Sequence, residues 1–139
     1  MAPAVAAALA DAILVLHVGV VAFVVLGALA VLAGGPLGWR VVRRRGLRAT
    51  HLGLVLAIAL QAWLGRLCPL TTWEQALRIR AGQHTYDGSF VQHWLSRLIF
   101  FEAPWWAFVL GYSAFAALVL GAWWRWPPFR RRSRTGPAH

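Results

Sequence analysis

Three polar side chains stand inside long apolar stretches of the sequence: His17, Gln61 and Tyr112. Counted along helices from the Arg-flanked ends of these stretches, the three residues lie within roughly one helical turn of the same depth. Lipid cannot satisfy polar groups, so we expect them to form an intramembrane cluster that supplies its own hydrogen bonds. The cluster is either packing between helices or part of a pocket for a quinone or lipid head, where His17 could relay protons.

Nine further polar residues could converge on the outer face of the molecule: Asp11, Arg66, Cys68, Glu74, His84, Tyr86, Asp87, His93 and Glu102. Arg66 requires a carboxylate, which Asp11, Glu74 or Glu102 could supply, and a structural salt bridge is the favoured interpretation. His84, Asp87 and His93 with Cys68 could ligate a divalent metal ion, but their spacing matches no known template. Cys68 is the sole cysteine, which excludes an internal disulfide and favours a buried small residue.

Histidines in a small helical bundle also raise the question of haem ligation. His17 and His51 differ in depth by about 18 Å or more, so one iron cannot join them. His17 could share a haem with His93 if an outer helix dipped inward. We predict no cofactor, with haem and a divalent metal as the weaker alternatives, and we predict that His51 is an interface residue beside Arg48.

Catalytic motifs are absent from the sequence. It contains no Ser/His/Asp arrangement, phosphate-binding loop or paired-carboxylate motif. A non-catalytic role is therefore favoured over an enzymatic one.

The composition defines the environment of these residues. The chain has 139 residues, of which 60% are apolar, nine are Trp, four are acidic and fourteen are basic, all of them Arg. The mean hydropathy is +0.60. A soluble domain of this size could not bury so much apolar surface. The composition excludes a cytosolic enzyme, a disulfide scaffold and a disordered chain, and it indicates an integral membrane protein.

The net charge of +10 is concentrated in two clusters of five arginines. The clusters are Arg40, Arg43, Arg44, Arg45 and Arg48, and then Arg125, Arg130, Arg131, Arg132 and Arg134. Both flank apolar stretches, as cytoplasmic segments of membrane proteins do. The charge therefore predicts contact with anionic lipid headgroups and not with nucleic acid.

Three stretches are long enough to cross a bilayer, at about residues 5–33, 49–67 and 104–124. Gly34-Gly35-Pro36 is expected to end the first, and tryptophans at both ends of the third resemble aromatic belts. In the second, small residues predict the face that packs against a neighbouring helix. That stripe consists of Gly53, Ala57, Gln61 and Gly65. Three spans place both Arg clusters in the cytoplasm and the N-terminus outside.

Residues 68–103 form a predicted outer cap of two short helices. Thr71 and Glu74 have capping-box spacing, which predicts a helix from Thr72 to Ala81 that closes at Gly82. Ser89 and Gln92 repeat the signal before a second helix, Phe90–Phe101. That helix is only about 18 Å long, which favours an interfacial or re-entrant helix. The predicted fold is an all-α membrane bundle over residues 1–128, with an Arg-rich cytoplasmic tail at 129–139.

Several motif blocks stand in a characteristic order. They are Asp11, His17, His51, LQAWLG at 60–65, CPLTTWE at 68–74, RAG at 80–82 and YDGSFVQHW at 86–94. Over about residues 10–126 the chain resembles a group of small bacterial inner-membrane proteins defined as a domain of unknown function. The Cys-Pro-Leu-Thr run and the later Tyr-x-Gly-x-Phe-x-x-His are its most specific signature. The resemblance implies the bacterial inner membrane and supplies no activity.

Two classes of function are consistent with these features. The favoured one is an accessory or scaffold protein that associates with another membrane protein or with copies of itself. The alternative is a small redox or ligand-binding membrane protein that holds haem, quinone or lipid near His17, Gln61, Tyr112 and His93.

Overall fold

The computed structural model describes residues 1–99 and 102–128, and it leaves out the side chain of Ile99. All regular secondary structure in this part of the chain is helical, and it contains no strand. The helices are α1 (Pro3–Leu37), α2 (Arg45–Trp63), α3 (Pro69–Arg80), α4 (Phe90–Ile99) and α5 (Trp105–Arg125), with a 3₁₀ turn at Val41–Arg43. The all-α prediction is confirmed, while the predicted tail and the predicted helix end at Phe101 lie outside the described residues.

Helix α1 runs past the glycines that were predicted to end it. It includes Gly34, Gly35 and Pro36 and closes at Gly38, whose φ of 71° is left-handed. A Cβ atom at Gly34 would lie 2.7 Å from Val42 Cγ2, and one at Gly35 would lie 2.7 Å from Trp126 Cδ2. The prediction was wrong because these glycines serve close packing within the helix and do not break it.

Helices α2 and α5 form an antiparallel pair. The start of α2 contacts the end of α5 through Arg48, and the Trp63 indole at the other end donates to Ser113 Oγ over 2.9 Å. Helix α1 joins them through an apolar core cluster. The cluster comprises Val24, Ala28, Val55, Ala59, Ala116 and Val119. These small side chains allow the three helices to approach closely.

The predicted packing face of α2 was wrong. Gly53, Ala57 and Gly65 are exposed, and a Cβ at Gly53 would meet nothing within 4 Å. The buried face instead carries Arg48, His51, Val55, Ala59 and Ala62. The buried face is determined instead by Arg48 and His51, because their polar heads need acceptors. The neighbouring helices provide these acceptors.

The Arg-rich end is the end of the bundle where α1 and α5 finish and α2 begins. There Arg48 is 2% exposed, and its guanidinium donates to the backbone oxygens of Trp126 (2.6 Å) and Ala122 (3.3 Å). These carbonyls lie at the negative end of the α5 dipole, where a cation is favoured. Arg48 also lies 5.2 Å from the ring centroid of Trp123. The arginine therefore joins α2 to α5.

His51 was predicted to be an interface residue beside Arg48, but it lies inside the bundle. It is 4% exposed, and its Nε2 lies 2.8 Å from the backbone oxygen of Val24. A carbonyl oxygen only accepts, so Nε2 carries the proton. The absence of a side chain at Gly27 makes room for the ring, because a Cβ there would lie 2.6 Å from His51 Cδ2.

Helix α3 packs along the first half of α1. It begins at Pro69, a residue suited to the first helical position, and so starts earlier than the predicted capping box at Thr71. Thr72 Oγ1 donates to the backbone oxygen of Pro69, and Glu74 is turned into the α1–α3 contact. Ala6 and Ala10 of α1 are fully buried on this side. The predicted closure at Gly82, with a φ of 71°, is present.

Helix α4 begins as predicted. The backbone N–H of Gln92 donates to Ser89 Oγ over 3.1 Å, which is an N-terminal cap. Ten residues rise only about 15 Å, too short to cross a bilayer. The helix forms one wall of the site described below.

In the described part of the chain, two helices, α1 and α5, are long and apolar enough to cross a membrane. Only 17% of the most apolar stretch of each is buried within the protein, whereas the core helix of a soluble protein would be mostly buried. Helix α2 is less apolar than α1 and α5, because its first two turns contain Arg45, Arg48 and His51. Three membrane spans are therefore a prediction and not an observation.

Candidate functional site

The main cavity is a space of about 530 Å³ between α1, α2, α5 and the cap formed by α3 and α4. Its deeper walls are apolar, with Val24 and Val25 from α1, Val55 from α2, and Phe108 and Phe115 from α5. Its polar residues are His17, Gln61, Arg66, Cys68, Thr71, Ser89 and Tyr112. The volume lies within the range of about 300–1,000 Å³ that small-molecule sites occupy.

The structure places His17, Gln61 and Tyr112 around this one cavity, each from a different helix. No hydrogen bond between their side chains is present in the described part of the chain. The Tyr112 hydroxyl instead lies beside the hydroxyl of Ser89. The self-satisfied cluster that the sequence predicted is therefore absent, and the three side chains are wall residues of a cavity.

Within the described residues, two buried polar atoms of the cavity wall have no hydrogen-bond partner: His17 Nδ1 and Thr71 Oγ1. His17 is 6% exposed, and Thr71 is fully buried. The His17 ring packs against Phe90, with 4.4 Å between the ring centroids. An unpartnered buried polar atom costs about 1–3 kcal/mol, so native structures have few of them. Both orphans belong to the same cavity.

A polar network lies beside the main cavity, between α3, α1 and the loop before α4. Its centre is Glu74, which is 1% exposed and accepts hydrogen bonds from Arg78 Nε and from the Tyr86 hydroxyl, each over 2.7 Å. Arg78 also donates to Asp11 Oδ1 (3.2 Å) and to Gln83 Oε1 (2.9 Å). The network joins the cap to α1.

The network has clear effects on the pKa values of two of its members. The hydrogen bond to Glu74 raises the pKa of Arg78 above its ordinary value. Burial, reinforced by the hydrogen bond to Glu74, raises the pKa of Tyr86 well above its ordinary value. Both groups therefore keep their protons throughout the physiological range.

The nine residues predicted for the outer face divide into separate groups. Arg66 and Cys68 line the main cavity, while Glu74, His84, Tyr86 and His93 line a smaller outer cavity of about 310 Å³. Asp87 and Glu102 are exposed, and Asp11 pairs with Arg78.

The predicted ion pair of Arg66 with a carboxylate is instead formed by Arg78. Asp11 and Glu74 both pair with Arg78, and within the described residues Arg66 forms no ion pair. The signal that was missed is the i,i+4 spacing of Glu74 and Arg78 on α3, which the capping-box interpretation of Glu74 obscured.

Neither metal nor haem ligation is supported by these positions. The described residues hold no group of three or more His, Cys, Asp or Glu side chains that could bind a metal ion. His17 lines the main cavity, whereas His93 stacks on Tyr86 at 4.4 Å and lines the outer one. The two rings thus border different cavities.

His17 and Gln61 lie further from the Arg-rich end than predicted. The reason is that α1 and α2 extend beyond the predicted spans at that end. His17 lies about 30 Å along α1 from Leu37, and Gln61 lies about 24 Å along α2 from Arg45. The hydrocarbon core of a bilayer is about 30 Å thick. The polar part of the main cavity therefore lies toward the end of the bundle opposite the Arg-rich end.

This arrangement suits an amphipathic molecule. Its apolar part would lie between α1, α2 and α5, and its polar part would meet His17, Thr71 and Ser89. No curated protein and no solved structure matches the chain. The family described as Protein of Unknown function (DUF2784) matches residues 7–128. The chain therefore belongs to that family.

Proposed function

We propose that this protein is a membrane protein that binds one amphipathic small molecule, of the lipid or quinone class, in the main cavity. The observation that carries the proposal is the cavity itself: an apolar space whose wall holds two buried polar atoms without partners. A ligand head that bonds His17 Nδ1 and Thr71 Oγ1 removes this cost, while its apolar part fills the space between the helices.

The proposed setting is the inner membrane of a bacterium, with α1, α2 and α5 as spans, the N-terminus outside and the C-terminus in the cytoplasm. The Arg-rich end supports this orientation, because Arg125 lies at the same end as the first Arg cluster. Arg40, Arg43, Arg44 and Arg45 are exposed there, as contact with anionic headgroups requires. Helix α1 is about 52 Å long, so its first turns, packed on α3, extend beyond the hydrocarbon core.

Two glycines of α5 provide a matched test of the cavity. A Cβ at Gly111, which lines the main cavity, would meet nothing within 4 Å, and the same holds for Gly121, which does not line it. Gly111→Phe therefore places a ring at the cavity wall, with a Cβ atom that meets no neighbouring atom. Gly121→Phe makes the same change elsewhere on the helix.

The measurement is native mass spectrometry, with an absorption spectrum, of protein extracted gently from its own membrane. We expect wild type and Gly121→Phe to carry one lipophilic molecule per chain, and Gly111→Phe to have lost it with unchanged thermal stability. Identification of the molecule separates a lipid from a quinone. Only bulk phospholipid in all three proteins would contradict the proposal, and a Soret band would replace it with haem binding.

The accessory role is the second candidate, and the outward-facing stripe of α2 favours it. Gly53 and Ala57 are exposed on the surface of the bundle, where small residues allow a second helix to approach closely. Gly53→Leu would disrupt such a contact without affecting the cavity. Loss of a copurifying partner or of self-association in Gly53→Leu supports this role, and unchanged association in that variant argues against it.

A further inference from the structure

We propose that the head of the bound molecule is an anion, a carboxylate or a phosphate, held by Arg66 and the first turn of α3. The inference rests on the proposed function and specifies the class of ligand. It starts from charge: Arg66 is the cationic residue of the main cavity, and no Asp or Glu is among the described residues that line it. The wall itself therefore carries a positive charge at one end, and the Glu74 carboxylate, which acts on His17 from outside the wall, is paired with Arg78.

None of the neighbouring carboxylates pairs with Arg66 in the described part of the chain. Asp11 and Glu74 both bind Arg78, and Glu102 is exposed, so none of them neutralises Arg66 in the described structure. A guanidinium without a protein carboxylate at the mouth of an apolar space is suited to an anionic head, which it can bind with two parallel hydrogen bonds.

The first turn of α3 supplies further donors at the same end. The N–H groups of Leu70 and Thr71 are among the first of the helix and have no acceptor within it. The helix dipole adds positive potential at this point. An independent observation points to a ligand here: the Thr71 hydroxyl, on the same turn, is fully buried and unpartnered.

His17 completes the set from α1. Its unpartnered Nδ1 can donate a hydrogen bond, as the Thr71 hydroxyl can. The cavity continues from this level past Val20 and Val24 to Val25, about 12 Å along α1, with no charged residue on the way. This shape accommodates an apolar chain whose anionic end lies near the outer surface of the bilayer.

The test uses two pairs of probes, each with an anionic member and a neutral member that can carry the same apolar chain. Oleate is compared with oleyl alcohol, and lysophosphatidic acid with monoolein, by native mass spectrometry on the full chain in neutral detergent. We expect each anion to bind at least about tenfold more tightly than its neutral counterpart. The two pairs distinguish a carboxylate head from a phosphate head.

Variants assign the preference to the proposed residues. Arg66→Gln should remove most of the tenfold preference of the site for the anionic probes. Arg80→Gln, an exposed arginine on α3 outside the cavity, is the matched control and should keep the preference. Thr71→Val should weaken binding of the anions while thermal stability stays equal or rises, because it removes an unpartnered hydroxyl.

Equal binding of anionic and neutral probes would overturn the inference, and so would an identical response of Arg66→Gln and Arg80→Gln. These results leave the proposed function intact provided that Gly111→Phe still abolishes binding of both members of each pair. No binding of any probe overturns the inference as well, whereas binding that is unaffected by Gly111→Phe overturns the proposed function itself.

Discussion

The two buried histidines of this protein lie in opposite kinds of surroundings. His51, near the Arg-rich end, bonds the Val24 carbonyl and fits against Gly27. His17, at the far end of the same bundle, has an unpartnered Nδ1 and borders a cavity of about 530 Å³. Both residues are less than a tenth exposed, so burial does not separate them. The difference lies in hydrogen bonding: the Arg-rich end is complete without a ligand, and the cavity end is not.

The largest expected effect comes from the two arginines at these ends. Arg48→Met removes two charge-assisted hydrogen bonds to α5 and should lower the free energy of unfolding by about 3 kcal/mol. Arg66→Met should stay within the roughly 0.5 kcal/mol that is usual for surface positions. Denaturant titration in detergent micelles measures both. Equal losses for the two variants would remove the distinction between the ends.

The histidines themselves give the next effect. His51→Leu loses its bond to Val24 and should lower the free energy of unfolding by about 2 kcal/mol. His17→Leu removes an unpartnered nitrogen, so stability should be unchanged or higher while ligand binding is lost. Thermal unfolding and native mass spectrometry of both variants check this. A strongly destabilised His17→Leu would make His17 a packing residue.

Two glycines test the difference in packing between the two ends of the bundle. Gly27→Ala puts a Cβ 2.6 Å from His51 Cδ2, and this overpacking should cost about 1–2 kcal/mol. Gly111→Ala meets nothing within 4 Å, and it should stabilise by roughly 0.5 kcal/mol, because alanine is the better helix former. The difference in denaturation midpoint between the two variants tests whether the packing is tight at one end and open at the other.

The smallest effect concerns pH and the network that holds the cap. The pKa of Tyr86 is raised in the folded protein, so the contribution of Tyr86 to stability is fully present below pH 10, its ordinary pKa. It is lost as the pH rises from 10 toward the higher folded pKa. Tyr86→Phe should cost about 1 kcal/mol at neutral pH and flatten the loss of stability above pH 10. An unchanged alkaline profile in Tyr86→Phe would place the relevant titration elsewhere.

The sequence predicted those parts of the fold that depend on local signals. The Ser89 cap, the turn at Gly82 and the apolar stretches of α1 and α5 all follow from residues close in the chain. The packing face of α2 was not predicted, because it is determined by where Arg48 and His51 find acceptors on α1 and α5. Those acceptors are backbone carbonyls, which the identities of side chains do not reveal.

For the candidate site, depth along the helices grouped three residues that border the main cavity, but it did not show how they interact. His17, Gln61 and Tyr112 do border one space, yet depth along helices could not show whether they bond each other or line a cavity. Thr71 was missed as a site residue because its spacing to Glu74 suggested a cap. Arg78 was missed because Glu74, its i,i+4 partner, was interpreted as part of a cap, and because its second partner, Asp11, lies far away in the chain.

The bond between Arg48 and the end of α5 also has a consequence for biosynthesis. The two carbonyls that accept from Arg48 lie 74 and 78 residues later in the chain. During translation the guanidinium therefore has no protein partner until the last turn of the last helix has been made. In the membrane setting proposed here, a nascent chain that stops before Ala122 keeps an unsatisfied arginine at the head of α2. The connection between α2 and α5 through Arg48 therefore forms only after α1 to α4 have been made.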